Sequence, residues 1–148
     1  MEIVYLDMDN VLVDFEHGID QLSEETYNEY EDDLDEVPGF FRDLPPVDGA
    51  IDAFHKLNEQ YDVYILSTAP WRNPSAWIDK LLWVKKHLPQ AAHKRLILSH
   101  NKHLNRGHYL IDDRTANGAG DFQGEHIHFG QKPFHDWDAV LNYLLERV

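Results

Sequence analysis

Hydrophobic residues in this chain fall into short unbroken runs, separated by longer stretches with helical spacing. Ile3-Val4-Tyr5-Leu6, Val63-Tyr64-Ile65-Leu66, Leu96-Ile97-Leu98 and Tyr109-Leu110-Ile111 are apolar throughout and rich in β-branched or aromatic side chains. Such runs suit strands buried on both faces. His126-Ile127-His128-Phe129 is a weaker fifth candidate. Between the runs, Gly49–Gln60 places Ile51, Phe54 and Leu57 at helical spacing, and Ser75–His87 does the same with Trp77, Leu81 and Val84. His135–Arg147 closes the chain with Trp137, Val140, Leu141 and Leu144. The alternation predicts an α/β fold with a parallel sheet covered on both faces. Ligands of such sheets bind beyond the carboxyl ends of the strands, so those ends are where chemistry is sought.

One segment breaks the pattern. Asp14–Pro46 follows the first strand, carries eleven carboxylates between Asp14 and Glu36, and ends in Pro38-Gly39-Phe40-Phe41 and the residues just after. It is predicted to be a small, mostly helical cap folded over the carboxyl edge of the sheet.

Length and charge narrow the picture. A chain of 148 residues is one domain, and folding at that size buries roughly 68–70% of the unfolded surface. Thirteen Lys and Arg against twenty-seven Asp and Glu leave a formal charge of −14 with His neutral. That balance argues against a nucleic-acid polymer or an anionic membrane as partner, since both carry the same sign. With no cysteine there is no disulfide, thiolate metal site or cysteine nucleophile. No apolar stretch reaches the ~18 residues of a membrane span, and MEIVYLDMDN lacks the basic start of a signal peptide. A soluble, cytoplasmic protein is expected.

The strand ends carry an unusual set of side chains. The first run leads into Asp7-Met8-Asp9-Asn10, and strand alternation puts Asp7 and Asp9 on one face. Two close carboxylates repel unless a cation lies between them or one holds a proton. The second run leads into Ser67-Thr68, hydroxyls able to grip an anionic oxygen, and the fourth into Asp112-Asp113-Arg114. Lys80 and Lys102 add positive charge. Carboxylates so gathered suit Mg²⁺, which binds through one or two of them plus substrate phosphate. Taken singly, an Asp after a strand is more often a turn former or helix cap; the conjunction in one crevice is what points to chemistry. A calcium loop opening at Asp7 is excluded, because Val11 and Leu12 stand where it needs an oxygen ligand and glycine. The ten histidines show no HExxH spacing, the four tryptophans read as core or interface, and Gly118-Ala119-Gly120 reads as a flexible connection.

In order, Asp7-Met8-Asp9-Asn10-Val11-Leu12-Val13, Ser67-Thr68, Lys102 and Ile111-Asp112-Asp113-Arg114 resemble the four motifs of the haloacid dehalogenase-like (HAD) hydrolases. Within that superfamily the likeness is to the 5′(3′)-deoxyribonucleotidases, through Asp7–Phe15 with Glu16, Pro38-Gly39-Phe40-Phe41, the Gly49-Ala50 helix start, and Lys80 ahead of Trp83-Val84. The resemblance implies a Rossmann-like three-layer sandwich, residues 1–148 forming a single domain with a reduced cap insertion at about 14–46. It implies an Mg²⁺-dependent phosphomonoesterase acting on nucleoside monophosphates through an aspartyl-phosphate. Asp7 would be the nucleophile and Asp9 the general acid and base. Asp7, Asp9 (through its carbonyl), Asp112 and Asp113 would surround the metal. Ser67, Thr68, Lys80 and Lys102 would hold the phosphoryl group, with Phe15, Phe40 and Phe41 near the nucleobase. The family habit also allows a homodimer. The stretch between Phe15 and Pro38 is shorter than the cap of the animal enzymes, which leaves another small phosphorylated metabolite open as substrate. A phosphoryl-accepting signalling receiver is disfavoured, because its acceptor Asp follows the third strand and here that run ends in Ser99-His100.

Overall fold

The computed structural model describes residues 1–146. Five parallel strands, β1 (Ile3–Leu6), β2 (Asp62–Ser67), β3 (Leu96–Leu98), β4 (Tyr109–Asp112) and β5 (Glu125–His128), form one sheet in the order β3-β2-β1-β4-β5. The apolar runs therefore mark every strand. In the fifth, the pairing begins at Glu125, so Phe129 falls beyond the strand. β1 is central, with Tyr5 opposite Tyr64 on one side and Leu110 on the other. The order reverses beside it, which puts the ends of β1, β2 and β4 around a single crevice.

Three long helices pack on the sheet: α3 (Ala50–Asn58), α4 (Pro74–His87) and α5 (Trp137–Leu145). Pro74 takes the first turn of α4, where its missing N–H costs nothing. Asp136 caps α5 by accepting from Ala139 N at 3.0 Å. The main core unites Val4, Leu6, Val63, Ile65, Ile111 and Ile127 with Phe54, Trp83 and Leu144. The other face of the sheet carries a smaller cluster of Tyr5, Leu66 and Leu110, covered by Ala119 and Phe122. That layer is thin, its crossovers holding only the 3₁₀ turns Lys102–Leu104 and Ala119–Asp121. Gly118, at φ +83°, packs its α-carbon against the first of these turns; a Cβ there would lie 2.3 Å from His103 Nδ1. Within the Gly118-Ala119-Gly120 stretch expected as a flexible connection, Gly118 thus packs on the Lys102 turn.

Residues 14–46 hold α1 (Phe15–Asp20), α2 (Glu24–Glu29) and a 3₁₀ turn at Leu34–Glu36. Val37, Phe40, Phe41 and Leu44 then enter the main core. α1 comes so close to that return segment that a Cβ on Gly18 would stand 2.5 Å from Leu44 Cδ2. Among the described residues no helix is long and apolar enough to cross a membrane.

Candidate active site

The loop after β1 is drawn tight by one carbonyl. Met8 O accepts from Val11 N, Leu12 N and Val13 N at 3.1, 2.8 and 2.8 Å. Asn10 turns through φ +65°, a left-handed conformation that asparagine tolerates better than most residues. Asp7 N donates to Ile111 O at 2.9 Å, so the first acid is registered against the end of β4. Carboxylate oxygens of Asp7, Asp112 and Asp113 lie within 4.8 Å of one another. Residues separated by about a hundred positions meet because β1 and β4 are adjacent.

Lys102 lies among them, its Nζ 3.0 Å from Asp7 Oδ1 and 2.6 Å from Asp112 Oδ2. Asp112 Oδ1 also accepts from Arg114 N at 3.0 Å. Asn10 Nδ2 donates to Asp113 Oδ2 at 3.3 Å, whereas Asp113 Oδ1 is buried with no hydrogen-bond partner. Burial and the charge of Asp7 push Asp112 up to about 6 and Asp113 up to about 7. Burial works against the charge of Lys102 too, but Asp7 and Asp112 outweigh it and the ammonium is held above its ordinary range. Three crowded acids, one with an orphaned oxygen, form a donor set that fits a hard divalent cation.

The second lysine serves the other acid. Fully buried Lys80 places Nζ 3.0 Å from Asp9 Oδ1 and 2.9 Å from Ser67 Oγ, over the Phe41 ring at 4.5 Å. Burial still raises Asp9 above the usual carboxylate range, although Lys80 opposes the shift. Thr68 Oγ1 donates to Ser99 O at 2.7 Å. Of the two expected phosphate-gripping hydroxyls, Ser67 is thus beside the lysine and Thr68 is tied to the neighbouring loop.

The three phenylalanines do converge. Ring centroids of Phe15 and Phe40 are 4.8 Å apart, and those of Phe40 and Phe41 5.2 Å. Phe40 and Phe41 are 7% and 2% exposed, so most of their faces are taken by the core. Phe15 is half-buried and lines a cavity of about 410 Å³ with Asp9, Asn10, Asp33, Asp113 and Arg114.

Three further residues belong to this constellation. Asn10 reaches Asp113, as described. His126 and His128, stacked at 5.2 Å, set their Nε2 atoms 3.1 Å from Asp112 O and 2.8 Å from Asp113 O. A carbonyl only accepts, so both rings donate there. Burial lowers the His126 pKa. The signal available in the sequence was their spacing of two, which puts both on one face of β5; their contacts depend on the β4–β5 register.

A family model described as 5′ nucleotidase, deoxy (pyrimidine), cytosolic type C protein matches residues 34–138. A Vibrio phage KVP40 protein, provisionally named a 5′(3′)-deoxyribonucleotidase, is 63% identical over 142 residues, spanning 96% of this chain and 84% of its own. The chain belongs to the 5′(3′)-deoxyribonucleotidase family. A human relative, the 5′(3′)-deoxyribonucleotidase of cytosolic type, is 32% identical over 157 residues, covering 85% of this chain and 78% of that protein. Family membership makes this chain a phosphatase-type hydrolase of the HAD superfamily. Its fold also superposes on a Bacillus subtilis HAD-hydrolase, YfnB, described as bound to magnesium, with a TM-score of 0.63 over 97% of this chain and 98% of that one. Identity there is 13%, so that likeness speaks to fold alone.

Proposed function

We propose that the protein is an Mg²⁺-dependent phosphomonoesterase that removes phosphate from deoxyribonucleoside monophosphates in the cytosol. The observation that carries this reading is the meeting of Asp7, Asp112, Asp113 and Lys102 at the end of the central strand. The names of the phage and human relatives support the substrate class and the location.

Asp7, Asp113 and the Asp9 carbonyl would hold the metal, with Asp112 beside them. The bound cation supplies positive charge against the phosphoryl oxygens and between the acids. An Asp7 carboxylate oxygen attacks phosphorus, forming an acyl-phosphate as the bond to the sugar oxygen breaks. Protonated Asp9 gives its proton to that departing oxygen. Asp9 then takes a proton from water, whose oxygen attacks phosphorus and returns Asp7 as carboxylate with inorganic phosphate. Two displacements replace one difficult hydrolysis. Asp9 suits the double role because burial keeps it protonated further up the pH scale than an exposed carboxylate. Lys80 and Lys102 meet the phosphoryl oxygens as they develop charge, and the substrate competes with Asp9 for Lys80. Phe15 offers the accessible ring for stacking on the base. The cavity of about 410 Å³ beside it falls in the range of small-molecule sites.

Carboxylates from Glu31 to Asp35 line that same cavity, and this favours a second reading in which the leaving group is another small metabolite. Turnover of dUMP, dTMP, dCMP and dAMP against a set of sugar phosphates, with Mg²⁺ supplied and then chelated, tests both. Preference for sugar phosphates sinks the nucleotide reading, and full activity under chelation sinks the metal-dependent chemistry.

A further inference from the structure

Asn73 occupies the N-cap of α4, where an asparagine side chain ordinarily accepts from the first free N–H groups of its own helix. It makes no such bond here. Its amide faces the chain returning from the cap instead. Nδ2 donates to Asp35 O at 3.0 Å and to Val37 O at 3.1 Å, which uses both amide hydrogens. Oδ1 accepts from Ser75 Oγ at 2.5 Å, and Ser75 Oγ in turn accepts from Gly39 N at 3.0 Å. Asn73 is only 3% exposed, so these bonds are made out of reach of bulk water. A buried side chain that leaves its own helix uncapped to hold two carbonyls of another segment has its use in that segment.

The grip continues along the helix. Ser75, Asp79 and Trp83 recur every four residues and share one face of α4. Asp79 Oδ1 meets Arg42 Nε at 3.5 Å, and Trp83 Nε1 donates to Leu44 O at 2.8 Å. Residues 35–44 are thus fastened to α4 turn by turn. Phe41, in the middle of the fastened stretch, lies under Lys80 Nζ at 4.5 Å. Asp35, at its start, forms part of the wall of the cavity of about 410 Å³ that Asp9 and Phe15 also line. One rigid helix therefore carries Lys80 and also holds a wall of that cavity.

We propose that Asn73 and Ser75 are positioning residues that set substrate specificity. They hold the cavity wall at a fixed distance from Lys80 and so decide which leaving groups fit between the two. The inference rests on the phosphomonoesterase reading above and concerns the half of the substrate that departs. Elements of regular structure hold such spacings more closely than loops do. Here a loop segment acquires the precision of α4 by being bonded to it.

Asn73→Asp keeps the size of the side chain and its acceptor for Ser75, but it cannot donate to the two carbonyls. Steady-state kinetics with the best monophosphate of the panel above, together with competitive inhibition by inorganic phosphate, test the proposal. KM should rise at least about tenfold while Ki for phosphate stays within about twofold, because only the leaving-group side is displaced. Ser75→Ala should shift KM in the same direction, and Ser75→Thr, which keeps the hydroxyl, should hold it near the native value. Hydrogen exchange across residues 34–44 should quicken in Asn73→Asp, with Tm showing that the chain stays folded at the assay temperature. Where Asn73→Asp does not fold, the two Ser75 variants decide. Unchanged KM in Asn73→Asp and Ser75→Ala overturns the inference. So does a KM and a Ki that rise together, since that marks a general loss of structure. A native chain that turns over no monophosphate sinks the reading of the site itself, and the part given to Asn73 and Ser75 falls with it.

Discussion

Lys80 Nζ stands 3.0 Å from Asp9 Oδ1, although 71 positions separate the two residues. The ammonium is wholly buried and also donates to Ser67 Oγ at 2.9 Å. Its attraction is what limits the upward shift that burial gives Asp9. In Lys80→Met, kcat/KM for the best monophosphate should fall by about a hundredfold or more. The descending limb of its pH profile should also move to higher pH, because Asp9 then keeps its proton further up the scale. A profile that keeps its shape would separate Lys80 from the acid.

Asp7→Asn removes the proposed nucleophile while keeping size and hydrogen-bonding capacity. Turnover should drop by at least about a thousandfold. The fold should survive, since losing the Asp7 charge relieves Asp112 and Asp113, whose pKa values it helps raise. Thermal unfolding at neutral pH checks the second half. A folded variant with near-native turnover would remove Asp7 from the chemistry.

The crowded acids set a pH dependence of stability in the metal-free protein. Asp112 and Asp113 are raised to about 6 and about 7 from an ordinary value of 3.8, so the folded state binds more protons than the unfolded chain between those limits. Their stabilising contribution is complete below the unfolded value and is lost as pH rises through about 6 and 7. In EDTA, Tm should fall by about 5 °C or more between pH 5 and 8. Mg²⁺ should recover the loss at pH 8 and do little at pH 5, where protons already neutralise the site. A Tm that is flat across this range, or equally responsive to Mg²⁺ at both ends, would contradict the placement of the cation among these acids.

Asn10→Gly tests the loop. Glycine accepts φ +65° without strain, so the backbone should be unharmed, but the donor at 3.3 Å from Asp113 is lost. With Asp113 holding the cation as proposed, calorimetric Mg²⁺ affinity should weaken by about 10-fold, as removal of a group that orients a metal ligand commonly does. Unchanged affinity would make Asn10 a turn former and nothing more.

Much of this arrangement was legible in the residues themselves. An apolar run such as Ile3–Leu6 can hardly be anything but a buried strand, and Asp7 and Asp9 must leave its end on one face. The helical spacing read from Ser75 to His87 comes within one residue of α4, which begins at Pro74. Other features depend on tertiary packing that no local pattern encodes. Pro38-Gly39-Phe40-Phe41 announces a turn with two rings, yet only the fold shows that Phe41 lies beneath Lys80 while Phe15 keeps the accessible face. Gly118 resembled slack chain because its role, a close approach to the Lys102 turn, lies in the neighbour rather than in itself. His126 and His128 show no metal-site spacing in the sequence, and their partners are backbone carbonyls that a sequence cannot display.

Those two imidazoles have a consequence for how the acids behave. They grip the main chain directly behind Asp112 and Asp113 and tie it to the next strand. Mutually repelling carboxylates in a loose loop would swing apart and waste their crowding on local disorder. Braced from the rear, they are held at their spacing, so the cation proposed for this site would find its cradle already assembled and little of its binding would be consumed in rearranging the protein.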